Sequence, residues 1–215
     1  MVLSAPFAIA SYVFERLDLW ELKSDLVRCL NVVDEAETIP ESFVLTLIAA
    51  EDHRSSLHPG VDPIAIVRAL VVQLTTGHTQ GASTIEQQLV RVATGYYAKT
   101  LRRKLREQML ATALSRRRSK SSIAAAYLSI AFYGSRKYGA AALRDACGSN
   151  LENANQEIIS LMIARLKYPE PTRPSPKWHY KIARRSAYIT KRLKRPNYKA
   201  LQSTNDVSNV AGPAN

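Results

Sequence analysis

The chain has 215 residues, 46% of them hydrophobic, with 30 Lys and Arg against 18 Asp and Glu, a formal net charge of +12. That length and apolar fraction suffice for one globular domain with a buried core, and the charge points to a polyanionic partner such as nucleic acid, anionic lipid headgroups or phosphate-bearing substrates. Cys29 and Cys147 alone exclude a disulfide scaffold, and His53, His58, His78 and His179 show no metal-ligand spacing.

No apolar run reaches the roughly 18 residues of a transmembrane helix. The opening MVLSAPFAIASYVFERLD has an apolar stretch with no basic residue before it, which makes a poor signal peptide. Residues 1–34 are read as an N-terminal extension without a membrane span, and membrane contact is expected to be peripheral.

In chain order, IPESFVLTLIAA (39–50) places Phe43, Leu47 and Ala50 along one side of a helix, with Pro40 near its first turn. It leads directly into Glu51 and Asp52. Asp62-Pro63 is a helix start, after which Ile64, Val67, Leu70, Val71 and Leu74 recur at helical spacing. That segment reads as ordinary core, although a lipid-handling enzyme could set it at a bilayer interface. TTGHTQGAS (75–83) reads as a loop. In GASTIEQQLVR (81–91), a helix would align Ser83, Gln87 and Arg91 in one polar row, beside Thr84 and Gln88. Such a row of amide, hydroxyl and guanidinium groups suits a phosphate or a sugar, or else a solvated face.

Residues 99–118 form an amphipathic helix with Leu101, Leu105 and Met109 on one side and Arg103 and Glu107 on another. Ser119 caps the next helix, expected to run through Ile123, Tyr127, Leu128 and Ile130 and to end at Gly134. Another helix covers about 157–166, and YPEPTRPSP (168–176) breaks helical structure at a domain edge or in an extended wrap. Residues 177–199 are basic and aromatic, fitting a solvated helix, a surface on anionic lipid or a nucleic-acid arm. The tail, 196–215, is small, polar and expected to be disordered. With no alternating strand pattern, the fold class is mainly α.

Three stretches stand together: EDHRSSLHPGVD (51–62), GASTIEQQLVR (81–91) and RKLRE (103–107). In order and content they resemble the peptidoglycan glycosyltransferases, lysozyme-like enzymes that polymerise a lipid-linked disaccharide. Glu51, Asp52, His58, Gly60 and Asp62 match the family's first motif, Gly81 through Leu89 the second, Arg103, Lys104 and Glu107 the third, and Tyr127, Leu128, Tyr133 and Gly134 part of a fourth. The resemblance covers roughly residues 35–195, read as the catalytic domain.

It implies a lysozyme-like fold with a larger head lobe and a small hydrophobic jaw lobe, located on the outer face of a bacterial inner membrane. It implies Glu51 as the base that deprotonates the acceptor sugar and Glu107 as the second catalytic carboxylate, with Mg2+ or Mn2+ a candidate ion near Glu107. Asp52, Ser83, Thr84, Gln87, Gln88, Arg91, Arg103 and Lys104 are the expected substrate-binding residues, while His58, Gly60 and Asp62 shape the site. Concentrated positive charge from Arg91, Arg103 and Lys104 suits a departing lipid pyrophosphate. The expected substrates are lipid II and a lipid-linked glycan, and the expected partners an anionic membrane surface and other cell-wall synthesis proteins.

The chain departs from the pattern at Ser55 (Phe in the family), Arg91 (Lys), Val92 (Asn), Ala125 (Glu) and Ser129 (Asn). A rival reading is a degenerate relative that binds lipid II or glycan without turnover. A third, a nucleic-acid binder, rests only on net charge and the basic tail.

Overall fold

The computed structural model describes residues 20–195. In chain order these form α1 (Trp20–Asp34), α2 (Glu41–Glu51), α3 (Pro63–Thr76), α4 (Ile85–Thr94), α5 (Leu101–Ser115), α6 (Lys120–Ile130), strands β1 (Phe132–Gly134) and β2 (Lys137–Tyr138), α7 (Gly139–Cys147), α8 (Gln156–Lys167) and α9 (Pro176–Leu193). The fold is mainly α, as the sequence predicts. The expected disordered tail and the first part of the N-terminal extension lie outside the described residues.

The core forms around α2 and α4. In α2, Phe43, Val44, Leu47, Ala49 and Ala50 are all buried, so apolar residues face inward on most sides of the helix. Thr46 is tolerated there because its hydroxyl donates to the Ser42 carbonyl at 2.6 Å. Helices α6, α8 and α9 pack around α2, while α4 is enclosed by α1, α5 and α6. This central position makes the C-terminal end of α2 a rigid mount for Glu51. The expected boundary after residue 34 does not separate α1 from this core, because Leu26, Cys29 and Val33 are buried in it.

Helix α3 stands apart. Asp62 caps it, its Oδ1 accepting from the amides of Ile64 and Ala65 at 3.0 and 3.1 Å, and Gly77 closes it in the left-handed conformation. Only Ala65 is buried. Val67, Leu70, Val71 and Leu74 are 56, 57, 50 and 76% exposed, so the reading of this helix as ordinary core is corrected: it is an apolar arm.

Two further expectations change. In α5 the inward side carries Glu107, Gln108, Leu110, Ala111 and Leu114, whereas Leu101 and Leu105 are exposed. They line a cavity of about 860 Å³ with Leu22, Tyr96 and Met109, whose walls include neither Glu51 nor Glu107. Helix α6 ends at Ile130, and Gly134 lies instead in the β1–β2 hairpin. A Cβ on Gly134, at φ +150°, would come within 2.6 Å of Glu170. This closeness lets the Ser135 amide donate to the Glu170 carbonyl at 2.8 Å and the Glu170 amide to that of Tyr133 at 3.0 Å. The proline-rich segment is therefore a wrap pinned to the hairpin, not a domain edge.

Candidate active site

Glu51 is the last residue of α2 and is partly exposed. Arg185, from the middle of α9, donates through Nη2 to Glu51 Oε1 at 2.7 Å and to the Ala50 carbonyl at 2.8 Å. The guanidinium thus holds the carboxylate and the helix end together through only one of the two carboxylate oxygens. Sequence reading missed Arg185 because it lies 134 residues from Glu51 in a run that resembles ordinary surface charge.

Glu107 lies on the buried side of α5, its side chain 3% exposed. Arg91 of α4 grips it bidentately, Nε to Oε1 at 2.8 Å and Nη2 to Oε2 at 3.1 Å, and Arg103 donates to the same Oε1 from one turn earlier on α5. Lys104 points beside them, 3.4 Å from the Ser83 hydroxyl. Burial lowers the Lys104 pKa from its ordinary value, with Arg91 and Arg103 pushing the same way and Glu107 opposing them. Three cations thus surround one carboxylate. Both Glu107 oxygens are taken by arginines, so the residues present do not fit Mg2+ or Mn2+ at Glu107.

Tyr127 of α6 joins the two halves. Its hydroxyl donates to Gln88 Oε1 at 2.8 Å. Burial and the Glu51 carboxylate raise its pKa, partly offset by Arg91, so it remains a donor. Gln88, Arg91, Tyr97 and Tyr127 line a cleft of about 410 Å³ whose outer wall is Phe132 and Tyr138. Their ring centroids lie 4.9 Å apart, with the planes tilted by 40°.

The expected polar row of α4 is split by the helix start. Thr84 is the N-cap: its hydroxyl accepts from the Gln87 amide at 3.3 Å, and Gln87 Oε1 accepts from the Thr84 amide at 3.1 Å. The same hydroxyl donates to the Gly60 carbonyl at 2.7 Å. Thr84 and Gln87 are buried framework, unlike the expected ligand-facing pair, while Ser83, Gln88 and Arg91 remain accessible. Asp52 is likewise buried and engaged, Oδ1 with His58 Nε2 at 2.9 Å and Oδ2 with the Ile85 amide at 3.3 Å. Gly60 has to be glycine, since at φ +98° a Cβ would lie 2.4 Å from the Ala111 carbonyl of α5.

A second cationic group stands two residues beyond Glu51. Partial burial and the fields of Arg192, Arg68 and Arg54 lower the His53 pKa. Arg54 is itself bonded to Asp62 at 3.0 Å. Arg68 comes from α3 and Arg192 from α9, so charges of the apolar arm and of the basic helix both act on His53.

The family model for transglycosylases matches residues 28–194. The chain is 35% identical over 159 residues to penicillin-binding protein 1A of Escherichia coli, covering 73% of this chain and 19% of that protein. It is 37% identical over 138 residues to penicillin-binding protein 1A of Haemophilus influenzae, covering 63% and 16% of the two chains. It is also 36% identical over 146 residues to penicillin-binding protein 1B of Vibrio cholerae, covering 64% and 18%. The chain therefore spans about a fifth of the length of the curated relatives it matches. With the match running through nearly all the described helices, this chain belongs to the transglycosylase family.

Proposed function

We propose that the protein is a peptidoglycan glycosyltransferase that joins lipid-linked disaccharides into glycan strands. What supports the reading is the cluster of Arg91, Arg103 and Lys104 around Glu107, with Tyr127, which lines the same cleft as Arg91 and feels the Glu51 carboxylate, beside it. In the proposed reaction Glu51 Oε2 takes the proton from the 4-hydroxyl of the acceptor sugar, and that oxygen attacks C1 of the donor. The bond from C1 to the lipid pyrophosphate breaks, and the leaving group gains negative charge beside the three cations. Arg185 keeps Glu51 oriented. Glu107 is not the proton acceptor in this scheme; it fixes the two arginine forks in place.

Two lipid-linked substrates bring two pyrophosphates, which suits the two cationic groups. Arg54, Arg68 and Arg192 would take the acceptor's, on the Glu51 side. The apolar face of α3 would enter an anionic bilayer there, while exposed Lys181, Arg184 and Lys191 of α9, a helix without acidic residues, meet the headgroups. The protein would then work at the outer face of the bacterial inner membrane, alongside other cell-wall synthesis proteins.

A second reading, binding without turnover, draws on Ala125 and on Ser129, whose hydroxyl is spent on the Ala126 carbonyl at 2.9 Å. Incubating lipid II with the protein and with Glu51→Gln separates the two. Glycan polymer from the unsubstituted protein alone supports catalysis; lipid II binding by both with no polymer from either supports the second reading.

A further inference from the structure

Four ionisable side chains from three parts of the chain meet. Asp52 and His58 follow α2, Glu86 sits in the first turn of α4, and Lys120 opens α6. Asp52, His58 and Glu86 are 5, 6 and 1% exposed, and their ligand-type atoms lie within 4.8 Å of one another. The Gly60 amide donates to His58 Nδ1 at 3.2 Å, which leaves the ring proton on Nε2, where it is donated to Asp52 Oδ1. The Lys120 ammonium closes the group, bonded to Glu86 Oε1 and 3.5 Å from His58 Nδ1. Glu86 Oε2 is buried with no hydrogen-bond partner.

Burying a carboxylate without a charge partner is costly, and Lys120 supplies that partner to Glu86. The donor set of Asp52, His58 and Glu86 has the composition of a divalent-ion site, but the tethered ammonium already stands among those atoms. The resulting ion pair ties α4 to α6 and, through His58, reaches Asp52, the neighbour of Glu51. We propose that Lys120 and Glu86 are positioning residues: a built-in cation and its carboxylate that set Asp52, and with it Glu51, in the register that proton transfer needs. The step from position to rate rests on the glycosyltransferase reading above.

The test compares the unsubstituted protein with Lys120→Arg, Lys120→Met and the neutral double variant Lys120→Met/Glu86→Gln. The first readout is the slowly exchanging His58 Nε2–H resonance, which requires no turnover. It is expected to persist in Lys120→Arg and to shift or vanish in Lys120→Met. The second readout is lipid II polymerisation, where kcat of Lys120→Met falls on the order of 10- to 100-fold, KM stays within about twofold, and Lys120→Arg recovers most of the rate. If Lys120→Met does not fold, the double variant takes its place with the same expectations. An unmoved His58 resonance in the folded variant, an unchanged kcat or a loss confined to KM overturns the proposal. So does broadening of the His58 resonance by Mn2+ in the unsubstituted protein, which would mean that an ion rather than the lysine fills the space. If the unsubstituted protein makes no polymer, the glycosyltransferase reading falls, and the His58 signal still decides whether the pair positions Asp52.

Discussion

Glu51 and Glu107 differ in what their surroundings leave free. Arg185 holds one oxygen of Glu51, whereas two arginines occupy both oxygens of Glu107. Glu51→Gln is therefore expected to cut kcat by about 100- to 10,000-fold with little change in thermal stability. Glu107→Gln frees Arg91 and Arg103 from their anchor and is expected to lower both Tm and kcat. Lys104 gives a pH signature. Its lowered pKa means that it loses its charge at a lower pH than an ordinary lysine, so KM for lipid II should rise on the alkaline side earlier than ordinary lysine titration would give. Lys104→Arg should move that rise to higher pH, as pH-rate profiles of the two proteins would show. Glu51, Arg91, Arg103, Lys104 and Glu107 were legible in sequence because each stands in a short local motif. Arg185, Glu86 and Lys120 were not, because their partners are far away in the chain and nothing local distinguishes them from surface charges.

The positions of α2, α3, α5, α6 and α8 were readable from caps and periodicity, whereas α1 and α7 and the faces of the helices were not. Asp62 and Ser119 each cap where sequence spacing suggests, since a capping side chain acts on amides two or three residues away. The side that a helix buries depends on neighbours that local periodicity cannot specify. The apolar row of α3 is exposed, and α5 turns Glu107 inward while Leu101 lines an open cavity. The β1–β2 hairpin escaped notice because strands of three and two residues are too short to show alternation. Leu70→Ser/Leu74→Ser tests the role of the arm. Both residues are largely exposed, so Tm should hold while binding to anionic vesicles in a flotation assay weakens several-fold. Gly60→Ala tests the close approach of the first motif to α5: denaturant unfolding should show a loss of about 1 to 3 kcal/mol, because a Cβ meets backbone there.

For the molecule as a whole, the excess of positive charge that first left nucleic acid, lipid and phosphate open is spread unevenly. Part surrounds Glu107, part surrounds His53, and part runs along α9, where Arg185 turns inward to Glu51. A nucleic-acid arm would have no need for carboxylates at the centre of its cations. The central claim is that Glu51 and the cations around Glu107 act in the same chemical step. Its most direct measurement is the rate of undecaprenyl pyrophosphate release from saturating lipid II by the unsubstituted protein, Glu51→Gln and Lys104→Ala. The account predicts release coupled to glycan formation in the unsubstituted protein, with kcat lowered in each variant while lipid II still binds. Release by Glu51→Gln at the unsubstituted rate would contradict it.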